Sequence, residues 1–190
     1  MDESGYAVFD TAIGRCGIAW RGEAVTATSL PSSSDAAVRA RLLRRCPEAR
    51  EAAPPPPIAA GISSIAALLG GEPRDLVEII LDMASLPELN RRVYEHARTI
   101  RPGVTTTYGE IAARLGEPRS VAPAIGKALG ENPFPIVVPC HRVLAAGGRT
   151  GGFSAPGGVS TKMRMLSIEA RHGPSSGLFD DLPLVAKRAT

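Results

Sequence analysis

The chain has 190 residues, with 22 Lys and Arg against 19 Asp and Glu, a net charge of +3 and a pI near 9.0. Apolar residues at 44% suffice for a core, but aromatics at 4% are scarce, so packing falls to Ala, Val, Ile and Leu. Three cysteines without a CxxC pair exclude a disulfide scaffold, three histidines exclude a zinc-ligand cluster, and no apolar run approaches the ~20 residues of a membrane-spanning helix. No leader-like segment precedes the first strand pattern, so the expectation is a soluble, cytoplasmic protein in a reducing compartment. The mild basic bias is compatible with a polyanionic partner.

From the N-terminus, Tyr6 to Phe9, Ile13 to Trp20 and Ala24 to Ser29 carry β-type residues punctuated by Gly14, Gly17 and Gly22. They predict strands, with a hairpin turn at Arg21-Gly22-Glu23. Asp35 to Arg45 places Val38, Leu42 and Leu43 on one helical face, with Arg39, Arg41, Arg44 and Arg45 outside. Those arginines read as a solvated face rather than a phosphate site. Pro54 to Pro57 reads as a stiff linker, Ile58 to Leu69 as a helix and Leu76 to Leu81 as a strand. Together these predict a small α/β module.

Ser85-Leu86-Pro87-Glu88 has capping-box spacing and predicts a helix to about Arg101, stopped by Pro102-Gly103. Thr107-Tyr108-Gly109-Glu110 repeats the box and opens a second helix through Leu115, ended by Gly116. After the turn Glu117-Pro118-Arg119, Ser120 is expected to cap a third helix, Val121 to Gly130. Two short helices about a tight Gly/Pro turn have the form of a helix-turn-helix, a pattern that an ordinary helical hairpin shares. A last long helix is expected from Gly158 to Arg171, and a loose tail after Gly173.

The densest chemistry lies at Pro139-Cys140-His141-Arg142-Val143, behind the apolar run Asn132-Pro133-Phe134-Pro135-Ile136-Val137-Val138. A thiol attacks as thiolate, and its free pKa of about 8.5 leaves a minority ionised at neutral pH. An adjacent imidazole can take that proton if another group holds its tautomer. Pro135 and Pro139 fix φ and remove donors, so the segment is stiff. It reads as a prepositioned, partly ionised nucleophile, against the bland alternative of a small buried cysteine.

Asn132-Pro133 through Val143, with Gly147-Gly148, Gly151-Gly152-Phe153-Ser154, Gly157-Gly158 and Lys162 to Glu169, resembles the active-site region of O6-alkylguanine-DNA alkyltransferases. The resemblance extends upstream through Thr107-Tyr108-Gly109-Glu110-Ile111-Ala112 and covers Leu86 to Ala170 strongly. It implies an α+β chain. A small ribonuclease H-like α/β module (1–84) would precede a mostly helical, winged helix-turn-helix alkyltransferase domain (85–173) and a flexible tail (174–190). The implied activity flips an alkylated guanine out of duplex DNA and moves its alkyl group irreversibly to Cys140, without cofactor or metal, in a monomer away from membranes.

By the same resemblance Cys140, His141 and Glu169 form the proton relay, and Tyr108 turns the nucleotide out. Asn132 braces the reactive turn, while Val143, Arg142, Phe153 and Ser154 line the base pocket. Of these, Arg142 is expected to serve structure through a salt bridge rather than to contact substrate. Arg91, Arg92, Arg114, Arg119 and Lys127 would meet phosphates. Two positions depart from the family pattern. The arginine that fills the gap left by the flipped base falls on Pro123 counting back from Asn132, or on Ala122 counting forward from Tyr108. Arg119, Arg114 or an apolar wedge at Pro123 would have to replace it. A pocket tyrosine is Phe153 here. The missing arginine leaves open a second reading, a non-enzymatic lesion sensor of the alkyltransferase-like type. A cysteine–histidine hydrolase would need an oxyanion hole, and no residues mark one.

Overall fold

The computed structural model describes residues 3–150 and 152–170, so the expected tail (174–190) and the helix end at Arg171 lie outside the described residues. Strands β1 (Ser4–Thr11), β2 (Gly14–Arg21) and β3 (Ala24–Ser29) form the expected antiparallel meander, with Gly22 at positive φ in the hairpin. A two-residue β4 (Arg50–Glu51) joins β1 in parallel, giving a sheet of order β3-β2-β1-β4.

Helix α1 (Asp35–Arg45) is capped by the Ser34 side chain and packs on the sheet through Val38 and Leu42. The packing needs Gly17: a Cβ there would come within 2.6 Å of Val38 and 2.8 Å of Leu42. Gly17→Ala should cost about 1–3 kcal/mol by overpacking. Chemical denaturation measures it, and a neutral result would mean that α1 moves off the sheet freely.

Two expectations for the following segment change. Helix α2 (Pro56–Leu69) takes the end of the proline run into its first turn, where missing amides cost nothing, so Pro56 and Pro57 are helix rather than linker. Leu76 to Leu81 is not a strand. Leu76 sits at φ +57°, Val77 and Ile80 are exposed, and Arg98 takes the carbonyls of Leu76, Val77 and Ile79 at 2.8–3.0 Å. With those acceptors occupied only one isolated bridge forms, Val25 to Leu81.

Helix α3 (Glu88–Ala97) begins later than its capping-box spacing predicts, with Pro87 as an N-cap that makes no side-chain bond. A residue before proline avoids helical φ/ψ, which keeps Leu86 out of the helix. Helix α4 (Tyr108–Arg114) does carry its box: Glu110 N donates to Thr107 Oγ1 at 3.2 Å and Thr107 N to Glu110 Oε2 at 2.7 Å. Gly116 at φ +73° turns the chain into a 3₁₀ turn (Arg119–Val121) that runs straight into α5 (Ala122–Gly130), so Ser120 lies inside a helical turn and caps nothing.

Short strands β5 (Thr106–Thr107) and β6 (Val143–Leu144) pair in parallel, and α6 (Gly158–Glu169) closes the chain against α2 and the Cys140 turn. The architecture is thus mixed α+β, a small sheet with helices. One buried apolar cluster runs from Ile13 and Trp20 through Tyr94 and Phe134 to Met165, so sheet and helices share a core. No helix among the described residues is long and apolar enough to cross a membrane.

Candidate active site

The segment between α5 and β6 is held from two sides. Asn132 Oδ1 accepts from Phe134 N at 2.9 Å and its Nδ2 donates to Val138 O at 3.0 Å, bracing the turn as expected. From the sheet, Thr28 N donates to Pro133 O at 2.9 Å and its hydroxyl to Pro135 O at 2.6 Å. Buried Ile136 adopts φ +80°, a conformation β-branched residues rarely enter, so the surrounding bonds impose it. The chain then turns through one 3₁₀ turn, Cys140–Arg142. Thr28 was invisible as a support residue in the sequence, since its partners lie over a hundred residues away.

Behind Cys140 lies a buried ion cluster. His141 and Glu169 are 0% and 3% exposed, and Nε2 of the ring meets Glu169 Oε1 at 2.9 Å. Arg142 donates to both oxygens of that carboxylate, Nε to Oε2 at 2.9 Å and an Nη to Oε1 at 2.8 Å, and to Ile100 O. Burial raises the Glu169 carboxyl, but His141 and Arg142 outweigh it and hold it down at about 2. Burial lowers the His141 pKa, with Glu169 opposing, so the ring rests neutral. An ionised carboxylate only accepts, so Nε2 carries the hydrogen and Nδ1 keeps a lone pair. That Nδ1 is buried and has no hydrogen-bond partner among the described residues.

Cys140 is 9% exposed and opens into a cavity of about 870 Å³. Burial pushes its thiol above the ordinary value, while the Asn132 side chain and the Lys162 ammonium pull it down. The expected partly ionised nucleophile is therefore corrected to a resting thiol, because burial of the sulfur disfavours the bare anion.

Lys162 is a site residue that the sequence reading missed. It is fully buried, donates to Val143 O and Thr150 O at 2.6 Å each, and lies 6.0 Å from the Phe153 ring centroid. Burial drops its pKa to about 8, against the pull of Cys140. A signal existed: Lys162 shares a helical face with Met165, Leu166 and Glu169, all buried.

Tyr108, Pro123, Asn132, Phe153 and Ser154 join Cys140 around the cavity. Tyr108 projects from the first residue of α4 and packs beside Gly126 of α5, where a Cβ would sit 3.8 Å from its ring. Pro123 stands in the first turn of α5 on the same wall. Ser154 spends its hydroxyl proton on Gly130 O at 2.8 Å.

Two expected positions lie elsewhere. Arg119 sits a turn ahead of Pro123, exposed and off the cavity wall, because the 3₁₀ turn is continuous with the helix. Val143 is buried with its carbonyl on Lys162, since β6 turns it into the core, whereas Arg142 makes the structural salt bridge expected of it, to Glu169. Arg92 is committed internally to Glu117 at 2.9 Å and Leu115 O at 2.7 Å, and Lys127 lies 4.0 Å from Glu131. Conversely, Arg41, Arg44 and Arg45, read as a solvated face, border the cavity.

Comparison with known proteins places this arrangement. The model of the 6-O-methylguanine DNA methyltransferase DNA-binding domain matches residues 88–171. A methylated-DNA–protein-cysteine methyltransferase of Mycolicibacterium paratuberculosis is 42% identical over 127 residues, 66% of this chain and 74% of that protein. A DNA base-flipping protein of Thermus thermophilus is 37% identical over 107 residues, 56% of this chain and 69% of that protein. The crystal structure of Mycobacterium tuberculosis OGT in complex with DNA superposes with a TM-score of 0.70 at 29% identity, covering 90% of this chain and 96% of that one. With a cysteine-lined pocket backed by a buried His–Glu–Arg cluster, and relatives matched over most of their length, the chain belongs to the methylated-DNA–protein-cysteine methyltransferase family.

Proposed function

We propose that this protein repairs DNA by taking the alkyl group from O6 of a guanine flipped out of the duplex onto Cys140 Sγ, once per molecule. The observation that carries the reading is Cys140 opening into the cavity while the imidazole of the next residue is pinned by Glu169. The S–C bond forms as the C–O6 bond breaks. The thiol proton passes, through a bridging water, to the free Nδ1 of His141, and the imidazolium gives that same proton to the departing guanine anion, leaving neutral guanine and the neutral ring. Glu169 is already an acceptor for Arg142 and His141 at a pKa of about 2. Its role is therefore to hold the tautomer and stabilise the imidazolium, as in other triads, rather than to receive the proton.

In this reading the 3₁₀ turn and α5 follow α4 as a helix-turn-helix with β5–β6 as its wing. Tyr108 and Pro123 at the leading edges turn out the nucleotide and wedge the gap, Pro123 acting through apolar bulk in place of an arginine. Residues 1–84 form a ribonuclease H-like module and 85–173 the alkyltransferase domain, and one copy suffices. Incubation with duplex containing O6-methylguanine should add one methyl group to the peptide bearing Cys140, read by mass spectrometry. Unmodified Cys140 with the lesion intact overturns the reading.

The alternative, lesion sensing without transfer, draws on Pro123 standing at the cavity where a cationic finger is expected, and on the likeness to the base-flipping protein. It predicts tight lesion binding with no added mass.

A further inference from the structure

The cavity is larger than its proposed ligand. Pockets for whole small molecules run to roughly 300–1,000 Å³, and this one, at about 870 Å³, has room for a nucleobase together with its sugar and phosphate. Its walls differ in chemistry. One wall holds Cys140, Tyr108 and Pro123; the other comes from the sheet and α1 and holds Arg41, Arg44 and Arg45. The spacing of those three puts them on one face of a single helix. That helix is not free to drift. It is seated on Gly17 through Val38 and Leu42, and Arg45 reaches across to Glu131 O at the end of α5 at 3.2 Å.

The charges on this wall are unspent. Arg39, on the same helix, pairs with Glu51 at 3.4 Å, whereas Arg41 and Arg44 have no acid or hydrogen-bond partner among the described residues. Among the described residues Glu131 is the one acid at the cavity, and its carboxylate lies 4.0 Å from Lys127. Two unpaired guanidinium groups on a seated helix at the cavity suit a phosphodiester, which takes a planar fork of N–H donors.

We propose that Arg41 and Arg44 of α1 clamp the phosphates flanking the flipped nucleotide, so that the N-terminal module forms the second jaw of the DNA site. This rests on the proposed alkyl transfer from duplex DNA. The clamp supplies from the opposite wall part of the cationic grip that the recognition helix lacks at Pro123, and it acts on backbone without reading sequence.

The test compares Arg41→Gln/Arg44→Gln with Arg39→Gln/Arg50→Gln, which removes equal charge from Glu51's partner and from β4 at the sheet edge opposite β3. Two substrates are used, O6-methylguanine duplex and a free O6-alkylguanine base, which has no phosphate. The first double variant should bind duplex about tenfold or more weaker, with a salt slope shallower by roughly 0.9 for each phosphate no longer neutralised. Its transfer rate at subsaturating duplex should fall at least tenfold further than its rate on the free base. Equal losses on both substrates, or equal DNA losses in the two double variants, overturn the clamp. Absence of transfer from either substrate to the parent overturns the proposed function instead. Arg44→Glu provides a second reading, and an affinity no weaker than the parent's also overturns the clamp.

Discussion

Cys140→Ser is expected to abolish alkyl uptake while the variant stays folded and engages duplex DNA within a factor of a few of the parent. A serine hydroxyl is a far poorer nucleophile than a thiol at neutral pH, and a neutral His141 cannot ionise it enough to compensate. Arg41, Arg44 and the Tyr108–Pro123 edge lie elsewhere on the cavity wall, so binding should outlast chemistry. Adduct mass and a DNA titration on parent and variant together decide the matter. If the parent itself binds lesion DNA but never gains mass, the sensing reading replaces the transfer reading. If the variant acquires the alkyl group, the acceptor is another residue and the site assignment fails.

Glu169→Gln carries the second large effect, and it acts on both stability and chemistry. The substitution leaves Arg142, 2% exposed, without its anionic partner, a loss worth about 3–5 kcal/mol for a broken buried pair. For a chain of this size that corresponds to a melting point lower by roughly 10 °C. The pH dependence follows from the direction of the shift. Glu169 is held near 2 in the fold against an ordinary 4.5, so its contribution is fully present above about pH 4.5 and is lost as pH falls through 4.5 toward 2. The stability gap between parent and variant should therefore narrow by roughly 3 kcal/mol between pH 5 and pH 2 in denaturant titrations. Transfer should slow by roughly 10²–10⁴-fold, because an amide can present its N–H to Nε2 and reverse the tautomer. A variant with parental rate would separate Glu169 from the chemistry; a pH-independent stability gap would separate it from the ion cluster.

The interplay of burial and charge explains why the thiol needs its neighbours. With sulfur and ring both this buried, the protonated thiol and neutral ring are the resting pair, and Lys162 is the nearby cation that favours ionisation. Its ammonium is spent on two backbone carbonyls, so it shapes the loop around Phe153 as well as the local field.

Much was legible in the residue order itself. The three strands, the helix at Asp35–Arg45, the Thr107–Glu110 box and the Pro-Cys-His-Arg string all rest on neighbours within a few positions, where propensity, capping and periodicity act. The family resemblance rode on the same local strings. What the order of residues could not decide was set by partners distant along the chain. Arg98 captured the carbonyls that a strand at Leu76–Leu81 would have needed. Thr28 anchored the reactive loop from the sheet, β6 drew Val143 inward, and a continuous helical turn carried Arg119 off the cavity wall. The same folding brought the α1 arginines, which by sequence read as a solvated face, to the cavity rim. Which way a charged face points, and whether a cysteine is ionised or merely buried, depend on the dielectric and the company a residue keeps in space, and those exist only once the chain has closed on itself.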